Sequence, residues 1–211
     1  MKKTVKRIVS MVLVFVLVFS ALTIIPGEVL HSWYASAAEL ITGEASAEET
    51  FEAGDYTYSL INEYANVKIV SYKGSDAELV IPKKLDGKTV TAIGDKAFQG
   101  MSFITSVILP DTIETIGGSA FNGCSNMESI NLGNSLKIIG GWAFYNCTSL
   151  NALTTPASLE KIDGEAFYRC TGLKTIELYG NDLLLNSWCF DTIPAAETII
   201  MHEGIKTINE R

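Results

Sequence analysis

Phe98, Phe121, Phe144, Phe167 and Phe190 stand 23 residues apart without a slip, and this spacing limits the fold more than any other feature. Ala97, Ala120, Ala143 and Ala166 precede the first four, and Cys189 precedes the fifth. Five residues upstream of each Phe lies Ile93, Ile116, Ile139, Ile162 or Leu185. Nine residues downstream come Val107, Ile130, Leu153, Ile176 and Ile199; eleven downstream come Leu109, Leu132, Thr155, Leu178 and Met201. Columns held in phase over so many copies belong to a solenoid in which each coil stacks on the one before. A single coil is too short to enclose its own apolar side chains, so its neighbours must bury them.

Each column has a physical meaning. Segments such as Leu173-Lys174-Thr175-Ile176-Glu177-Leu178 alternate inward and outward residues, as a short strand does. Thr112, Ser135, Ser158 and Asn181 follow these strands and offer polar groups to the turning backbone. Ile116-Gly117, Ile139-Gly140 and Ile162-Asp163 are expected to make a tight turn that opens the second half of each coil. There the Ala-Phe pair packs inward from a short helical turn or an irregular bend. The expected fold class is therefore an α/β-type repeat solenoid with short parallel strands. Before the repeats, Tyr56-Thr57-Tyr58-Ser59-Leu60 and Val67-Lys68-Ile69-Val70-Ser71-Tyr72 alternate and are rich in β-branched and aromatic residues. Residues 56–78 are expected to form a small β-hairpin that caps the N-terminal end of the stack.

The repeated string Ile-Gly-x-x-Ala-Phe-x-x-Cys-x-x-Leu resembles the BspA-like leucine-rich repeats of secreted bacterial proteins. Ile139, Gly140, Ala143, Phe144, Cys147 and Leu150 make the closest copy, and Ile116, Gly117, Ala120, Phe121, Cys124 and Met127 another. The opening segment is also similar to that family's, with Val80-Ile81-Pro82, Asp86-Gly87-Lys88-Thr89-Val90 and Ile93-Gly94. The resemblance covers about residues 56–211. It implies a leucine-rich-repeat stack on the cell surface, adhesin-like in the manner of some members that bind host proteins or other cells. The fifth repeat departs from the pattern, with Cys189 for Ala, Ile193 for Cys and Ala196 for Leu. Gly204 to Arg211 begins another repeat that stops before the next Ala-Phe. The repeats, residues 79–211, thus end incomplete; either the chain is a fragment or a partner covers the end.

The first residues are of a different kind. Lys2, Lys3, Lys6 and Arg7 precede an uncharged apolar run from Ile8 to Ile25, which Pro26-Gly27 breaks. Ala35-Ser36-Ala37 then supplies the small residues a signal peptidase reads, so residues 1–37 are expected to be a signal peptide cleaved after Ala37. An uncleaved anchor is the competing reading, because the run is just long enough to span a bilayer. Residues 38–55 carry Glu39, Glu44, Glu48, Glu49, Glu52 and Asp55, an acidic linker. Cleavage would remove four basic residues and Glu28, leaving the chain more acidic than its net charge of −8. Such a chain repels nucleic acid and anionic membranes.

Little in the sequence argues for catalysis. With His31 lost in the signal segment, His202 is the one histidine left, and no nucleophile motif lies beside it. A metalloprotease H-E-x-x-H, a phosphate-cradling Gly-Lys-Ser/Thr loop and a dinucleotide fingerprint are all missing. Cys124, Cys147 and Cys170 share a column within disulfide reach, yet Ile193 fills the same column, so buried free thiols are expected. No catalytic, metal or cofactor site is expected.

The reading that remains is a secreted or cell-surface interaction module that binds an extracellular protein or glycan. The alternatives are a non-catalytic accessory region of a larger secreted enzyme and a structural spacer. Two surfaces compete for the partner. The first is the edge around the Ala-Phe turns, with Trp142, Tyr145, Tyr168, Arg169 and Trp188, the residue types that dominate interface energies. The second is the strand face, with Thr154, Glu177 and Tyr179 among its outward residues.

Overall fold

Alternation within each repeat and strict repetition between them produce a β-solenoid of about six coils, each about 23 residues long. The computed structural model describes residues 48–61 and 65–208, so the expected signal peptide and most of the acidic linker lie outside it. The strands begin with β1 (Thr50–Ala53), β2 (Tyr56–Ile61), β3 (Asn66–Tyr72), β4 (Glu78–Val80), β5 (Lys84–Leu85) and β6 (Lys88–Ile93). The coils proper follow with β7 (Ser106–Ile108), β8 (Thr115–Ile116), β9 (Ser129–Asn131), β10 (Ile138–Ile139) and β11 (Ala152–Thr154). They continue through β12 (Lys161–Ile162), β13 (Thr175–Leu178), β14 (Leu183–Leu185), β15 (Thr198–Met201) and β16 (Ile205–Ile208).

Two rows of parallel strands run along the stack. The expected row comes in two pieces, β4-β7-β9 and β11-β13-β15. At the Ile-Gly segments, expected as tight turns, the chain is extended through Ile116, Ile139 and Ile162, and these short strands form the longer sheet. From β6 onward that sheet runs β8-β10-β12-β14-β16, with pairs such as Ile116↔Ile139 and Ile139↔Ile162 in 23-residue register. At its N-terminal end, β1, β2 and β3 form an antiparallel meander, and β3 pairs parallel with β6. Strand β1 lies inside the segment read as linker, and its Glu52 makes an ion pair with Lys73.

No helix occurs among the described residues, which corrects the α/β reading: the Ala-Phe half of each coil is a run of turns. Its hydrogen bonds give the reason. Ala97, Gln99 and Met101 donate to carbonyls three residues back in their own coil, namely Gly94, Lys96 and Phe98. The residues between them, Lys96, Phe98 and Gly100, donate instead to Gly118, Ala120 and Asn122 of the next coil. The same alternation recurs at Ser119, Phe121 and Gly123, which bond Gly141, Ala143 and Tyr145. An α-helix would need every one of these donors for its own i→i−4 ladder. Two left-handed positions per coil also interrupt any helix: Ser119, Trp142, Glu165 and Trp188 at one, and Asn146, Arg169 and Thr192 at the other.

Inside, the repeated columns become ladders of like on like. The rings of Phe98, Phe121, Phe144, Phe167 and Phe190 stack with centroids 5.0–5.4 Å apart and planes within 10°. Near-parallel rings at that distance are offset, the favoured arrangement. Cys124, Cys147 and Cys170 are buried free thiols whose Sγ atoms donate to Phe98 O, Phe121 O and Phe144 O of the preceding coil. Burial pushes the Cys124 and Cys170 thiols up to about 12. Thr155, polar in an otherwise apolar column, is buried without loss. Its hydroxyl donates to Tyr179 O at 2.8 Å and accepts from Tyr179 N–H at 2.8 Å. Of the polar residues after the strands, Ser158 Oγ bonds Leu136 O as expected, whereas Thr112 Oγ1 is buried without a partner.

The column assignment makes a quantitative claim. Phe144→Ala, between two stacked rings, should cost about 3–5 kcal/mol by cavity formation. Lys137→Ala loses only an exposed ion pair to Glu114 and should leave the melting curve nearly unchanged. Thermal or denaturant unfolding of both variants checks this; equal shifts would contradict it.

Candidate interaction surfaces

The turn ladder fixes the aromatic edge. Coil-to-coil bonds place position 142 of one coil beside position 165 of the next and 188 of the one after, all with φ between 56° and 65°. Nearly equal backbone angles launch these side chains in nearly the same direction. Trp142 is 49% exposed and Trp188 56%. The Trp142 indole N–H donates to Glu165 Oε2 at 3.0 Å, one coil onward. Tyr145 and Tyr168 stack across adjacent coils at 5.4 Å and 11°, half-buried, and the exposed Arg169 guanidinium lies 5.8 Å from the Tyr168 ring centre. Trp142 and Trp188 thus occupy one column, and Tyr145, Tyr168 and Arg169 form a stacked group on adjacent coils. Trp188 also borders an open hollow of about 350 Å³ near the C-terminal end, lined by Leu178, Phe190, Ile199 and Met201 among others. Ile199 and Met201, inward in the repeat pattern, are 55% and 52% exposed there.

The strand face divides at the break between β9 and β11. Thr154 is exposed on β11 and borders a hollow of about 320 Å³ with Asn131, Asn134 and Pro156. Glu177 and Tyr179 sit one coil further, where Thr154 pairs with Glu177 in register. Pro110, two residues beyond the exposed Ile108, is buried. His202, which the sequence marks only as a histidine without a nucleophile motif beside it, has close partners on this face. Its ring stacks on Tyr179 at 3.8 Å and 11°, and its Nε2 lies 3.0 Å from Glu177 Oε1. The same carboxylate oxygen accepts the Tyr179 hydroxyl at 2.7 Å. The hydrogen bonds from Tyr179 and then His202 hold the Glu177 carboxyl below its ordinary range, and the Tyr179 phenol is raised by its bond to that carboxylate. Both missed neighbours were open to column counting: His202 is one period beyond Tyr179, and Glu165 one beyond Trp142.

Among the described residues no group of three or more His, Cys, Asp or Glu could hold a metal ion, and no helix is long and apolar enough to cross a membrane.

Residues 91–211 match, in six copies, the family described as "BspA type Leucine rich repeat region". The chain belongs to that family. Three solved structures similar to this BspA-type chain carry the same fold. A Treponema pallidum leucine-rich repeat protein is 24% identical, over 72% of this chain and 82% of its own, with a TM-score of 0.61. A leucine-rich repeat protein from Bacteroides capillosus is 29% identical, over 64% and 99%, at 0.55. A leucine-rich cell surface protein from Faecalibacterium prausnitzii is 21% identical, over 74% and 55%, at 0.54. No curated protein matches.

The Glu177 cluster yields a titration test. A folded carboxyl below its ordinary range stabilises the fold at neutral pH, and this contribution is lost as pH falls through the lowered midpoint. Carboxyl-carbon NMR should place the Glu177 midpoint below that of an ordinary glutamate, and Tyr179→Phe should move it upward. An unchanged midpoint in Tyr179→Phe would refute the hydrogen-bond origin.

Proposed function

We propose that this BspA-type chain is a non-enzymatic interaction module, secreted or displayed on the cell surface, adhesin-like in use. The aromatic edge takes the partner, an extracellular protein or glycan. One observation carries this reading: two tryptophans stand half exposed on one line, beside a stacked tyrosine pair with arginine over it. Large aromatic rings keep that much surface in water at a cost, and Trp, Tyr and Arg form the anchors of most interfaces. Export after Ala37 fits the basic head, the apolar run and the small residues before that bond. The similarity to a protein described as cell surface agrees with it. In this reading the β1–β3 meander closes the N-terminal end, with Tyr72 tilted against Phe98 at 5.7 Å and Tyr56 against Tyr72 at 5.0 Å.

The strand face is the second reading, supported by the Glu177–Tyr179–His202 cluster. Binding of the full chain to a panel of immobilised extracellular-matrix proteins and glycans separates the two. The Trp142→Ala/Tyr168→Ala variant should lose at least tenfold in affinity for whichever probes bind, while Thr154→Asp/Glu177→Lys keeps it. Loss confined to the second variant, with both folded, would move the site to the strand face.

A further inference from the structure

The outward column Trp142–Glu165–Trp188 has a fixed pitch, and the pitch selects a ligand. Two coil steps, 5.0 and 5.2 Å in the adjacent phenylalanine ladder, set the two tryptophans about 10 Å apart along the axis. Their like φ values keep them on one straight line, which Ser119 and Lys96 extend toward the N-terminus. Trp142 does not join a face-to-face ladder as Tyr145 does. Its N–H donates instead to the Glu165 carboxylate of the next coil at 3.0 Å, which ties the two side chains together.

From this the geometry points to a binding site for a neutral, extended β-1,4-linked polysaccharide lying along the solenoid edge. The inference rests on the aromatic-edge reading above and names its ligand. A β-1,4 chain of equatorial pyranoses is straight, and one disaccharide is as long as two coil steps. Successive sugars are flipped, so every second ring offers the same face, and that face, lined with axial C–H bonds, is apolar. Two indoles one disaccharide apart meet equivalent rings, and the equatorial hydroxyls at the rim of the sugar between them come within reach of the Glu165 carboxylate, an acceptor. An α-1,4 chain curves off the line after the first contact. Uronate or sulfated chains meet a carboxylate in a chain of net charge −8 and are repelled.

Trp33, Trp142 and Trp188 are the three tryptophans, so the full chain bearing Trp33→Phe reports the site through its own fluorescence. Cellohexaose and chitohexaose serve as β-1,4 probes and maltohexaose as the α-1,4 control, with affinities also measured by calorimetry. At least one β-1,4 hexaose should shift the emission saturably, and maltohexaose should not. Which of the two binds tells glucan from N-acetylglucosamine chain. Trp142→Ala and Trp188→Ala, each confirmed as folded, should weaken binding at least tenfold, and so should shortening the probe to a disaccharide, which cannot reach both rings. Absence of binding by both β-1,4 hexaoses overturns this inference. The edge reading survives that result if Trp142→Ala/Tyr168→Ala still loses affinity for the matrix probes. Hexaose binding that is unchanged in both single variants overturns the inference and removes the edge as the glycan site.

Discussion

Half of the backbone donors in each Ala-Phe turn find their acceptors only in the neighbouring coil, and the rest of the structure follows from that division. Phe98 N–H bonds Ala120 O, Phe121 bonds Ala143 and Phe144 bonds Ala166, at 2.7–2.8 Å. A coil without its neighbour would leave these N–H groups open to water, forgoing about 0.5–1.5 kcal/mol net for each bond as well as the burial of its ring face. The side chains obey the same division, since Phe98, Phe121, Phe144, Phe167 and Phe190 each have another ladder Phe above or below them. Backbone and core thus require a single register of 23 residues, and any slip would break both at once.

That register explains what was legible in the sequence. The apolar columns repeat because each fills one site in each coil; Phe98, Phe121, Phe144 and Phe167 are fully buried, as are the three column cysteines. The strands of the L-x-x-L-x-L segments were legible for the same reason. The second strand row was not, because Ile116 and Ile139 offer only two residues of extended chain, too few to alternate visibly. Of the two forms expected for the Ala-Phe segment the irregular one forms, and the α/β label falls with the other, because Ala-Phe spacing does not reveal where the donors point. The expected linker hid β1 behind its acidic composition, although Phe51 stacks on Tyr58 at 5.6 Å.

For the surfaces, the 23-residue period sets Tyr145 beside Tyr168 and Trp142 in line with Trp188, and the stacked pair and the shared φ values show both. Glu165, in the tryptophan column, and His202, one period beyond Tyr179, follow from the same 23-residue count. In a solenoid a side chain's neighbour is one period away, so the column rather than the single residue carries the information. A scaffold of this kind acts as a ruler. Its core sets the pitch near 5 Å, and whatever stands outward repeats at that pitch.

Native-state hydrogen exchange tests the central claim, that neighbouring coils hold one another's turns closed. The amides of Phe121, Phe144 and Phe167 should exchange only through a shared large opening, with one free energy and the same steep dependence on denaturant. If instead Phe144 N–H exchanges independently of Phe121 and Phe167, with little dependence on denaturant, the coils open singly and the account is contradicted.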